Sequence, residues 1–146
     1  MKIHRVAFGV ALLVLTLGSL TSEFALDSNQ SEKSDRERRA VAIALVRTIN
    51  TVELAYKYTH GSYGEWRMLL MDNAKQFEDF LSINGLSQTN SQFADYPGIL
   101  PGWNMRLMVN TDGQGYEILL EDKNDKKRYA ALSDERGAIR ECKWLE

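Results

Sequence analysis

Trp103-Asn104-Met105-Arg106-Leu107-Met108-Val109, Asn110-Thr111-Asp112-Gly113 and Gln114-Gly115-Tyr116-Glu117-Ile118-Leu119-Leu120 follow one another in the C-terminal third, and their reading decides the fold. Met105, Leu107 and Val109 alternate with Asn104, Arg106 and Met108, while Tyr116, Ile118 and Leu120 alternate with Glu117 and Leu119. Successive side chains of a strand point to opposite faces, so a period of two describes two strands sharing one apolar face. Asp112-Gly113 between them supplies a residue at ease with positive φ, as a tight hairpin requires.

Two further runs of β-favouring residues lie downstream, at 128–132 and 138–144. Asp122-Lys123-Asn124-Asp125 and Ser133-Asp134-Glu135-Arg136-Gly137 bound them with turn chemistry, so strands at 103–109, 115–120, 128–132 and 138–144 are expected to form an antiparallel meander.

Upstream the period changes. Residues 84–102 are punctuated by Asn84-Gly85, Pro97-Gly98 and Pro101-Gly102 and read as a long loop. From Glu65 to about Ile83, Trp66, Leu69, Leu70, Phe77, Phe80 and Leu81 form a helical stripe, with Asp72-Asn73 as a break within it. From Asp35 or Arg36 to about Thr59 there is no Gly or Pro, and Val41, Leu45, Ile49 (or Thr48), Val52 and Tyr56 recur at spacings of three and four. This is a long amphipathic helix, with Ser34 or Asp35 as a cap and Gly61 past its end. The expected fold is α+β, with a long N-terminal helix and a second helical region packed on a sheet of about four strands.

The chain start reads differently. Lys2, His4 and Arg5 precede an uncharged run at 6–17, too short to span a hydrocarbon core about 30 Å thick comfortably. Residues 1–18 are therefore read as a signal peptide or N-terminal anchor, residues 19–35 as a polar linker, and residues 36–146 as one α+β domain. Thr16 and Gly18 supply small residues for cleavage after Gly18, whereas a cut after Ala25 would put Glu23 at the −3 place. The expected location is the periplasm or cell envelope, with membrane attachment only through an uncleaved 6–17 segment.

The 146 residues carry 18 Lys plus Arg against 20 Asp plus Glu, and loss of Lys2 and Arg5 with the leader makes the remainder more acidic. Nucleic-acid affinity comes mainly from neutralising phosphates with Lys and Arg, so a nucleic-acid partner is excluded on charge. The single Cys142 closes no internal disulfide; it is either a small packed side chain or a thiol open to a second chain.

Arg47-Thr48-Ile49-Asn50-Thr51-Val52-Glu53-Leu54-Ala55-Tyr56, with Tyr58 and the Gly61-Ser62-Tyr63-Gly64 break, resembles the corresponding segment of type IV pilin-like proteins of the acidobacterial type. Gly115-Tyr116-Glu117-Ile118, Tyr129-Ala130-Ala131, Ser133-Asp134 and Gly137-Ala138-Ile139-Arg140 are similar to strands of the same family, and together the segments cover roughly two fifths of the chain. The resemblance implies a pilin or pseudopilin head, acting in a pilus or in type II secretion by assembly with protein partners, without catalysis. The leader departs from the family. A prepilin is cut before its apolar segment, with Glu five residues after the cut; here Glu23 follows Gly18 at that distance, but the apolar run lies upstream of the cut. Gly18 and Glu23 are accordingly read as coincidence.

Site chemistry is sparse. His60, Glu65 and Glu53 are conceivable as an acid/base group, with His60 alternatively satisfying carbonyls at a helix end. Asp122, Asn124 and Asp125 offer oxygen ligands of the kind Ca²⁺ accepts, against the simpler reading of a solvated turn. Tyr56, Tyr58, Tyr63 and Trp66 form either a ligand-contacting surface or a helix-to-helix junction. The Arg36-Glu37-Arg38-Arg39 run is either a solvated helix end or a site for anionic lipid or an acidic partner. No catalytic residue, cofactor or metal ligand is assigned, and the leading reading is an exported, non-enzymatic pilin-like protein. The alternative is a small periplasmic ligand-binding or enzymatic module sharing only the helix-on-sheet architecture, which would place an apolar pocket under the 84–102 loop.

Overall fold

The computed structural model describes residues 19–86, 99–125 and 128–143, with side chains described from Lys33 onward. The element order is α1 (Ser19–His60), α2 (Trp66–Ile83), β1 (Trp103–Val109), β2 (Tyr116–Asp122), β3 (Tyr129–Asp134) and β4 (Arg140–Lys143). All four strands pair antiparallel with their sequence neighbours, in the order β1-β2-β3-β4. Two helices and a four-stranded antiparallel meander therefore make this an α+β protein. The bounds of α1 include residues 19–35, read from sequence as a linker; no Gly or Pro interrupts the stretch from Ser19 to His60. The leader reading at 1–18 lies outside the described residues.

The chain divides into two compact units, Met1–Arg38 and Arg39–Glu146. In the first, Lys33 and Glu37 stand 4.0 Å apart, and Arg38 and Asp35 3.5 Å, as pairs one helical turn apart. The second unit holds the core.

Within that unit, the α1 positions Ala42, Leu45, Val46, Ile49, Val52 and Tyr56 are buried, the spacing that places side chains on one face of a helix. Val41 is only half-buried, while Ala42 and Val46 take core places that a stripe drawn through Val41 had not included. The sheet answers with Trp103 and Met105 from β1, Tyr116, Ile118 and Leu120 from β2, and Tyr129 and Ala131 from β3, all in the same cluster. The register puts Met105 beside Leu120 and Leu120 beside Ala131, so these side chains form rows across one face.

α2 contributes Trp66, Leu69, Phe77, Phe80 and Leu81. Asn73 interrupts it at φ −131°, ψ 29°, where Asp72-Asn73 was expected to break the helix. Its C-terminal end is closed by Asn84, whose side chain donates to the Phe80 carbonyl at 2.7 Å.

The hairpin between β1 and β2 has the expected chemistry. Gly113 adopts φ +67° and donates its N–H to the Asn110 carbonyl at 2.9 Å, while Asp112 accepts from the Gln114 N–H at 2.9 Å. A Cβ at position 113 would also stand 2.8 Å from Ser62 Cβ. Gly113→Val is therefore expected to cost about 1 to 3 kcal/mol through the strained φ, with the Ser62 contact adding to it; an unchanged denaturation midpoint would reject this turn geometry.

Leu45 has no exposed surface, whereas Arg47, two residues on, points to solvent. Leu45→Ala is expected to lower stability by about 2 to 5 kcal/mol, and Arg47→Ala by less than about 0.5 kcal/mol. A larger loss for Arg47 in urea titrations would show the helical phase to be wrong.

Candidate functional site

The helical phase that buries Ile49, Val52 and Tyr56 also carries Glu53 inward, because positions 49, 52, 53 and 56 share one face. Glu53 has no exposed surface. Its Oε2 accepts the Gly64 N–H at 2.9 Å, and its Oε1 is buried without a hydrogen-bond partner. Burial raises its pKa to about 7, against the lowering effect of the Gly64 bond.

Beside it lies a second polar group of the core. Tyr116 donates its hydroxyl to Asn50 Oδ1 at 2.9 Å, and Asn50 Nδ2 donates to Ser133 Oγ at 2.9 Å and to the Gly137 carbonyl at 3.4 Å. One amide thus links α1 to β2, β3 and the turn after β3. Burial pushes the Tyr116 hydroxyl pKa well up, and the Glu53 charge adds to the shift.

At the other end of the sheet Arg39 meets Asp125 at 2.8 Å, with its guanidinium 4.6 Å over the Tyr129 ring. Tyr129 donates its hydroxyl to Glu141 at 2.8 Å and sets its ring edge-on to Trp103. Burial first, then the bond to Glu141, raises its pKa. Arg39 is thus neither a solvated helix end nor a free site for lipid: it joins the start of the core segment of α1 to the β2–β3 turn.

The residues singled out from sequence do not converge. His60 Nδ1 lies 3.1 Å from the Tyr56 carbonyl and 2.8 Å from Thr59 Oγ1, its Nε2 lies 3.4 Å from Asp72, and its ring stacks on Tyr56. These are contacts at a helix end, whereas Glu53 is enclosed with Gly64 and Glu65 is exposed just before α2. A carboxyl without exposed surface touches no substrate in this conformation. Asp122 accepts the Asn124 N–H at 2.9 Å in a local turn, and Asp125 is engaged by Arg39. Among the described residues no group of three or more His, Cys, Asp or Glu side chains converges as metal ligands would. Tyr56, Tyr63 and Trp66 are core residues, and only Tyr58, 92% exposed, stands in solvent. Cys142 is half-buried, with Sγ 3.6 Å from the Ala130 carbonyl.

The signal that could have placed Glu53 in the core was its own phase, one residue past Val52 and four past Ile49. No protein-family profile, curated protein or solved structure matches the chain.

The sign of the Glu53 effect on stability follows from its raised pKa. The neutral carboxyl is the form the core accepts, so its full stability is present below about pH 4.5, is lost as pH rises towards 7, and stays lost above it. The loss amounts to about 3 kcal/mol. Glu53→Gln is expected to match the wild type or fall below it at pH 4.5 and to be the more stable protein at pH 8. Urea midpoints at the two pH values check this, and parallel pH profiles for both proteins would count against it.

Proposed function

We propose that this chain is an exported, non-enzymatic pilin-like protein that acts through protein contacts at the cell envelope. The observation that carries the reading is the meeting of two separated stretches of sequence. Residues 40–64 and 113–140, which hold the pilin-like segments, pack together through the Asn50 bonds to Tyr116 and Ser133 and through the Tyr63 N–H on the Gly113 carbonyl at 2.9 Å. The resemblance therefore belongs to one three-dimensional unit, a helix laid on a meander.

Asn50, Tyr116 and Ser133 of that unit hold helix to sheet, as do Arg39 and Asp125 beside it, which supports a structural role for these polar groups. A surface for contacts is available on the outer side of α1, where Leu54 (65% exposed) and Tyr58 lie one helical turn apart in solvent. Export rests on the basic start and the apolar run at 6–17, which lie outside the described residues. No helix of the described residues is long and apolar enough to cross a membrane. The apolar pocket expected under the 84–102 loop for a ligand-binding module falls on residues 87–98, which are also outside the described set.

Two variants test the reading. Leu13→Arg is expected to abolish export, since a charge at the centre of an inserting segment costs roughly 2.5 to 3.5 kcal/mol. Glu23→Ala is expected to leave export and partner capture intact, measured by cell fractionation and by cross-linking at the envelope. Loss of assembly in Glu23→Ala, with export preserved, would replace this account with a conventional prepilin.

A further inference from the structure

We propose that Glu53 is a pH-sensitive latch for the connection at residues 61–64, which closes over the core when the carboxyl is protonated and opens when it ionises. This goes beyond the envelope reading and does not depend on it.

The geometry singles out that connection. Glu53 projects from a helix and faces a sheet, and both are held by their own backbone hydrogen bonds, whereas residues 61–64 belong to no regular element. The connection is tied down at four places. Gly61 donates its N–H to the Lys57 carbonyl at 2.8 Å. Tyr63 donates its N–H to the Gly113 carbonyl at 2.9 Å, Gly64 donates to Glu53 Oε2 at 2.9 Å, and the Gln114 side-chain amide donates to the Gly61 carbonyl at 3.3 Å. Gly64 approaches so closely that a Cβ there would stand 2.9 Å from both Tyr56 and Leu69, so the connection packs directly on α1 and α2.

The surroundings favour the neutral carboxyl. A buried carboxylate is stabilised when it accepts two or three N–H bonds; Glu53 accepts one, and Oε1 has no partner. Facing it from β2 is the Tyr116 hydroxyl, on which the charges of Asp134 and Glu135 also act, and the Tyr63 ring of the connection packs edge-on against Tyr116. α2 presents apolar Leu69 at Gly64. On α1, one turn beyond Glu53, Lys57 holds its ammonium 4.2 Å over the Tyr63 ring. Of these groups only Lys57 is cationic, and its ammonium rests on the segment that would move. An ionised Glu53 gains solvation most readily by admitting water where the chain is least constrained, at the connection. Gly61, at φ +79°, is a ready hinge.

The test is amide hydrogen exchange on the full chain between pH 5 and 8.5, read as protection factors so that intrinsic base catalysis is removed. Tyr63 and Gly64 are expected to lose protection as pH rises towards about 7, by up to about tenfold per pH unit, and to level off above it, while Ile118 and Leu120 of the sheet centre hold theirs. In Glu53→Gln the protection of Tyr63 and Gly64 should be independent of pH. The wild type also carries an internal check that needs no variant: the carboxyl carbon of Glu53, followed by NMR, must titrate at the pH where the loss of protection levels off. A flat Tyr63 and Gly64 profile in the wild type, an equal loss across the sheet centre, or a Glu53 midpoint in the ordinary carboxylate range would each overturn the latch.

Discussion

Met105, Tyr116, Ile118, Leu120, Tyr129 and Ala131 lie on one side of a sheet that is four strands wide among the described residues, and their apolar surface must be withdrawn from water if the sheet is to persist. The core segment of α1 meets that need with Leu45, Val46, Ile49 and Val52, all essentially without exposed surface. Each such side chain contributes roughly 1.5 to 3 kcal/mol when fully buried, so this contact outweighs any single hydrogen bond or ion pair in the molecule. α2 adds a second apolar stripe from Trp66 to Leu81 to the same cluster.

Hydrophobic burial has little directional preference, and helix and sheet offer several ways to slide over one another. The polar groups of the contact restrict that freedom. Asn50 holds Tyr116 and Ser133 at one end, and Arg39 holds Asp125 beneath the reach of Tyr129 at the other. A shift by one turn would leave these partly buried groups without their present partners, at a cost of about 1 kcal/mol for each. Glu53, about one turn beyond Asn50, has a buried carboxyl that accepts a single N–H bond, and that places a pH-sensitive point of the core next to the irregular connection at 61–64.

Much of this was legible where the cause is local. Gly113 marks its hairpin because few other residues accept positive φ, and Asn73 marks the break in α2 because a short polar side chain competes with the helix backbone. β1 was read with its full bounds, since alternation over seven residues is a strong signal. The other three strands were displaced by one or two residues, because charged turns such as Asp134-Glu135-Arg136-Gly137 tolerate several boundaries. The candidate site was less legible. Glu53 was visible as a carboxyl and Arg39 as one of a charged run, but a charge in a sequence is ordinarily solvated, and the partner that draws it inward lies far along the chain.

The sequence by itself determined the element types, the apolar faces and the α+β class, because these follow from periodicity and turn chemistry within a few residues. It could not decide which of four neighbouring aromatic residues stays outside. Tyr56, Tyr63 and Trp66 entered the core and Tyr58 did not, a difference set by helical phase once α1 lies on the sheet. Nor could it decide that Asp125 answers Arg39, 86 residues away, or that Glu53 closes against the single N–H of Gly64. Those choices belong to the tertiary structure, since only packing fixes which distant groups share a water-excluding space and therefore which charges are left to be satisfied there.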